Sequence, residues 1–182
     1  MVRCRWTSLC GAVGGDGPVI TRRDAMAFTI ISTAILASHL ALISWIDFRS
    51  LAIPNILNLS LACFGLVISV AGQDRAALNV MFAIALTAAL FLVFCAIYEN
   101  LRNRRGFGGG DIKFLAAAAA WTGLSGLPWI LLIASISGLA FSLLESLHGR
   151  AMNADSRIAF GPHLSLGLLV TWLLEDMIMA QI

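Results

Sequence analysis

A chain of 182 residues that is 59% hydrophobic and only 12% charged, with a mean hydropathy of +0.89, carries more apolar surface than a soluble domain of its size can bury. Its charges cluster between long stretches that hold almost none, which is the pattern of repeated membrane crossings within one domain. The net charge of +2 comes from basic residues in short connecting segments rather than from a stripe with interleaved aromatics, and this argues against nucleic-acid binding.

Residues 1–25 form an extension without a span-length apolar run or helical periodicity. It also lacks the apolar core and small-residue cleavage site of a signal peptide. Met26 stands at the start of the first apolar run, so the economical expectation is that it is the true initiator of a six-helix domain covering 26–182. Near-uncharged segments of about 17 to 25 residues predict an all-α membrane protein. The six spans run from Ala25 to Ile46, Ile53 to Gly72, Ala76 to Tyr98, Ile112 to Leu127, Pro128 to Leu147 and Pro162 to Ile182. The fourth is the weakest, because its alanine run is only modestly apolar; the string TGLSGLP must then make a tight hairpin into the fifth.

Lys and Arg tend to stay on the cytoplasmic side of a membrane. Arg49, Arg102, Arg104, Arg105, Lys113, Arg150 and Arg157 collect on one side of the expected topology, and the loops of the other side hold only Arg75. The first side is therefore read as cytoplasmic, against the pull of Arg3, Arg5, Arg22 and Arg23 in the extension. Cys4, Cys10, Cys63 and Cys95 form no CxxC pair, so neither a structural zinc site nor a disulfide framework is implied. Cys63 and Cys95 read as small helix-packing residues.

Ionisable groups at the edge of a membrane domain are costly and call for a functional hypothesis. Asp47 ends the first span in SWIDFRSLAIPN, and Asp111 opens the fourth in RRGFGGGDIKF. Counting spans puts both on the cytoplasmic side, where they can meet. Two close carboxylates sharing one proton can activate water with one member and polarise a carbonyl with the other. Taken singly, each has a plainer reading: Asp111 as a helix cap and Asp47 as an interfacial residue paired with Arg49. Gly108, Gly109 and Gly110 shift the balance, because they permit unusual dihedrals and let a substrate backbone approach the carboxylate. No Gly-Lys-Ser/Thr follows them, so a phosphate-binding loop fails on context. Pro54 and Asn55 mark a defined start to the second span, with proline suited to a first helical turn.

Asp47-Phe-Arg with Ile53-Pro54-Asn55, then Gly108-Gly109-Gly110-Asp111-Ile112-Lys113, then Ala159-Phe160-Gly161-Pro162 together resemble the type IV prepilin peptidases, aspartic proteases of the GxGD kind. The resemblance covers residues 30–175 in order and spacing. It implies that Asp47 and Asp111 are the catalytic pair, with no cofactor or metal. It also implies that the substrate is a pilin precursor whose basic leader is removed at the cytoplasmic face of the bacterial inner membrane, with membrane lipid and the pilus-assembly machinery as further partners. The long form of the family carries a cysteine-rich zinc-binding insert and methylates the new pilin N-terminus, whereas this chain has no such insert. Its compact length is more similar to the short peptidases of tight-adherence (Flp) pili and, more distantly, to archaeal preflagellin peptidases.

Around this pair, Gly161, Pro162 and Lys113 join the glycines, Pro54 and Asn55 as site-shaping or substrate-binding candidates. Lys113 balances charge or contacts substrate. His39 is expected to face a helix partner, His163 to start a helix at the interface beside the site, and Asp155 to be solvated. Two other classes compete: a small transporter whose aspartates bind a cation or relay protons, and an inactive pilus-assembly subunit. The first calls for ionisable groups in mid-span, whereas Asp47 and Asp111 sit at span ends.

Overall fold

The computed structural model describes residues 22–72, 76–102, 108–148 and 159–181, and among these it is all helical. Five helical runs follow one another: α1 (Arg22–Ser50), α2 (Asn55–Ala71), α3 (Ala77–Arg102), α4 (Gly109–Leu147) and α5 (Gly161–Gln181). Met26–Ser50, Ala77–Arg102 and Gly109–Leu147 are long and apolar enough to cross a membrane, and Asn55–Ala71 is a shorter apolar helix. Most of the extension, Asp155, Arg75 and Arg104 fall outside the described residues. The first helix starts at Arg22, three residues ahead of the expected span.

The largest departure from expectation is α4, which takes in the fourth and fifth expected spans as one run of 39 residues. A straight helix of that length would measure about 58 Å, well beyond a hydrocarbon core of about 30 Å. It is not straight. Gly123 adopts φ 69° and ψ −170°, a region open to glycine and strained for other residues, and the helix breaks there. Contacts on either side show that the chain turns back. Before the break, Asn58 of α2 touches Gly110 while Ser69, eleven residues on, donates to the Ala120 carbonyl, so α2 and this first segment run parallel. After it, Gly126 lies beside Glu175 and Gly138 beside His163, so the second segment runs antiparallel to α5. The tight hairpin expected from TGLSGLP is present, and it turns at Gly123.

The segment that looked weakest in the sequence lies at the centre of the bundle. Phe114 through Trp121 are all buried, and Ala118, Ala119 and Ala120 are fully so. Small side chains let neighbouring helices approach closely, and such a helix meets protein rather than lipid, so it needs little hydropathy of its own. Trp121 fits beside Gly65 of α2, where an added Cβ would lie 2.7 Å from the indole ring, and its Nε1–H donates to the Leu61 carbonyl at 2.9 Å. Trp172 of α5 meets Trp121 edge to face at 5.3 Å and donates to Thr33 Oγ1 of α1 at 3.0 Å. These contacts tie α1, α2, α4 and α5 together at one level. Large apolar residues of α3, among them Leu78, Phe82, Leu90 and Ile97, point outward.

Cys95 is buried in α3 as a packing residue, whereas Cys63 of α2 is exposed and does not serve the expected packing role. His39 stands against Phe64 of α2, ring edge to face at 5.0 Å, and faces a helix partner as expected.

Candidate active site

At the end of the bundle opposite the tryptophans, three chain segments converge. The first is the end of α1. Asp47 lies in its last turn, 5% exposed, and Leu51 closes the helix with a positive φ of 51° and an N–H that donates to the Asp47 carbonyl at 2.8 Å. The chain then passes through Ile53, which is buried, to Pro54. Proline sits one place earlier than a first-turn position: it is the N-cap residue of α2, and Asn55 is the first helical residue.

The second segment is the start of α4. Gly108 is the N-cap residue and no side chain caps the helix, so Asp111 does not play the capping role that its position allowed. It is the third helical residue, half-buried, with its N–H donating to the Gly108 carbonyl at 3.0 Å. A Cβ on Gly108 would come within 3.2 Å of Asp111 Oδ2, and one on Gly110 would rest on Ile53 at 3.5 Å. None of the three has a positive φ, so the unusual dihedrals that glycine permits are not used here, and only at Gly108 would a Cβ come closer than ordinary contact. At Gly109 an added Cβ would meet nothing within 4 Å.

The third segment is the start of α5. The backbone N–H of Gly161 donates to Asp47 Oδ2 at 2.8 Å, across 114 residues of sequence. The contact is so close that a Cβ on Gly161 would lie 2.6 Å from that oxygen. The bond seats the Asp47 carboxylate at the positive end of the α5 dipole. Arg49, the partner suggested by the sequence, instead lays its guanidinium over the Trp45 ring, 4.5 Å from the centroid. The Asp47 and Asp111 carboxylates are close enough for their charges to interact.

Other candidates line this end. Lys113 Nζ donates to Asn55 Oδ1 at 2.7 Å, joining the two motifs that carry Pro54 and Asp111. His163 shares a hydrogen bond of 3.1 Å with Ser137 Oγ and stands among the Phe141 and Phe160 rings, beside the Gly161-Pro162 pair. Sequence reasoning missed Asn58, which is 4% exposed and donates from Nδ2 to the Gly110 carbonyl at 3.3 Å. A polar residue inside an apolar span, one helical turn after Pro54, was the available signal. Among the described residues no group of three or more His, Cys, Asp or Glu side chains could hold a metal ion.

A protein-family model, the type IV leader peptidase family, matches residues 34–143, which include both aspartates. The chain belongs to the type IV leader peptidase family. By family it is an aspartic-type leader peptidase. Among its relatives is a prepilin leader peptidase/N-methyltransferase of Escherichia coli (strain K12), 32% identical over 171 residues, covering 93% of this chain and 71% of the relative. Proteins of the same name from Burkholderia pseudomallei (strain 1026b) and Neisseria gonorrhoeae are 36% and 31% identical, over 72% and 78% of this chain. The matches cover 42% and 48% of those two proteins, so the chain corresponds to less than half of their length. No solved structure matches this leader peptidase chain.

Proposed function

We propose that this chain is a membrane-embedded endopeptidase that removes the leader of type IV prepilins at the cytoplasmic face, with Asp47 and Asp111 as its catalytic pair. The observation that carries the reading is that these two carboxylates, 64 positions apart in sequence, stand within reach of each other's charge at one end of the helix bundle, beside the glycines that open α4 and α5. One carboxylate activates water and the other donates a proton to the scissile carbonyl, and the pair needs neither metal nor cofactor. The Gly161 N–H fixes Asp47, and the first turn of α4 presents Asp111, half-buried, to an incoming peptide. Six membrane crossings, counting the two segments of α4 separately, put both aspartates on the side richer in Lys and Arg.

The test is co-expression with a prepilin and measurement of pilin size, normalised to the amount of peptidase in the membrane. Asp47→Asn and Asp111→Asn should each abolish cleavage while expression survives, and the double change should be no worse than either alone, because groups that act as one unit give non-additive losses. Cleavage retained by either single variant would sink the mechanism.

A further inference from the structure

Three buried side-chain oxygens among the described residues have no hydrogen-bond partner: Asn58 Oδ1, Ser165 Oγ and Thr171 Oγ1. The two hydroxyls can rotate, and both lie on α5. Asn58 is different in kind. Its amide is 4% exposed on the inner face of an apolar helix, and only its Nδ2 is engaged, on the carbonyl of the residue directly before Asp111. Burying an amide with one end unpaired is unfavourable, and an apolar side chain would occupy the position without that cost. Packing alone therefore does not account for asparagine here.

What the amide does reach is informative. The first turn of α4 begins at Gly108 with no side-chain cap, and the three glycines that open it supply no side chains to hold it. Two contacts with α2 and the turn before it stand in for them: Ile53 lies beneath Gly110, and Asn58 grips the Gly110 carbonyl. Asn55, one turn before Asn58 on α2, takes Lys113 on the outer side.

We propose that Asn58 is a positioning residue for the peptidase: by holding the Gly110 carbonyl it sets where the Asp111 carboxylate stands relative to Asp47. The proposal rests on the reading of those two aspartates as the catalytic pair. Among the described residues, the other charged or titratable groups on elements reaching this end are Lys113, Glu145 and His148 on α4 and at its end, Arg49 on α1, His163 on α5, and Tyr98, Glu99 and Arg102 at the end of α3; Lys113, Arg49 and His163 are engaged by Asn55, Trp45 and Ser137. Asn58 is thus the side chain joining α2 to the backbone that carries Asp111.

Asn58→Leu keeps the branched skeleton, with larger methyl ends, and removes the donor. Asn58→Ala removes the donor without crowding and without adding a titratable group. In the full-length protein in membranes, with a prepilin substrate, both should lower kcat by about 10- to 100-fold, the range expected for a misplaced catalytic group, with KM within about twofold. The pH dependence of kcat/KM separates positioning from folding. Two carboxylates that couple less strongly titrate closer together, so the bell should narrow from both sides, whereas a smaller amount of folded enzyme lowers the bell without changing its width. Unchanged kcat in Asn58→Leu, or a loss that follows the amount of folded protein with an unaltered bell, would overturn the proposal. Asp47→Asn and Asp111→Asn run alongside: cleavage retained there refutes the catalytic pair itself, while cleavage abolished there with Asn58→Leu fully active refutes only the role of Asn58.

Discussion

Adding one methyl group at Gly161 perturbs the site where it is most tightly built. A Cβ at that position would lie 2.6 Å from Asp47 Oδ2 and 2.8 Å from its Cγ, where ordinary contact begins at 3.4 Å. The carboxylate must therefore move by the difference, 3.4 less 2.6, or about 0.8 Å, or the start of α5 must move by as much. Either shift lengthens the 2.8 Å hydrogen bond from Gly161 N and displaces Asp47 from Asp111. A misplacement of about 1 Å at a reacting group costs about 10²-fold in rate. Gly161→Ala should accordingly lower kcat by roughly 30- to 100-fold, equivalent to about 2–3 kcal/mol of transition-state stabilisation. The same crowding can also lower stability, so kcat is referred to the amount of folded protein. The assay is prepilin cleavage by membranes holding equal amounts of each variant, with thermal unfolding in detergent measured in parallel. Gly109→Ala, whose Cβ meets nothing within 4 Å, serves as the control for folding. A kcat for Gly161→Ala within twofold of the parent would refute the reasoning, since it would mean that Asp47 need not sit where the α5 N-terminus holds it.

Gly65→Ala should act through the fold instead: a Cβ 2.7 Å from the Trp121 ring overpacks the junction of α2 and α4, and a loss of about 1–3 kcal/mol should appear as a lower unfolding temperature. Specific activity per folded molecule should stay near the parent value. For the orientation, a reporter fused near Arg104 should read as cytoplasmic and one near Gln73 as external; the reverse pattern would place the aspartates on the wrong side for a cytoplasmic leader.

Both aspartates and the glycine run before Asp111 were legible because ionisable groups at the edge of a membrane domain are costly and three consecutive glycines rarely open a helix, whereas the Gly161-Pro162 pair entered through the family resemblance. Partnerships were less legible. Arg49 is two residues from Asp47, and sequence proximity suggested an ion pair, but the arginine finds Trp45 and the carboxylate finds a backbone N–H that is 114 residues away. Long-range backbone donors leave no trace in composition. Hydropathy misled in a related way at residues 112–121. It measures what a helix gains from lipid, and a helix enclosed by other helices gains from close packing instead, so the alanine run read as a weak span. Asn58 was passed over because a single amide in an apolar stretch has no partner until the tertiary structure supplies Gly110.

The reversal at Gly123 connects this packing to the chemistry. Between the Pro54-Asn55 turn and the glycine run, the chain makes two passes, α2 away from the aspartates and α3 back. Between the glycine run and Gly161 the described residues hold one helical run, and a straight pass would carry the chain about 58 Å away, far beyond the tryptophans. Because Gly123 takes φ 69°, the run makes two passes. The chain then comes back past Gly138 to the aspartate end, where Gly138 meets Phe160 and His163. Only then can the N-terminus of α5 bind Asp47. A side chain at residue 123 would strain the one dihedral that lets three distant motifs share a site. The buried alanines contribute to the same result from the other direction, since the segment between Gly110 and Gly123 must sit at the centre of the bundle for Asp111 to emerge beside α1 and α5 rather than at the lipid-facing rim.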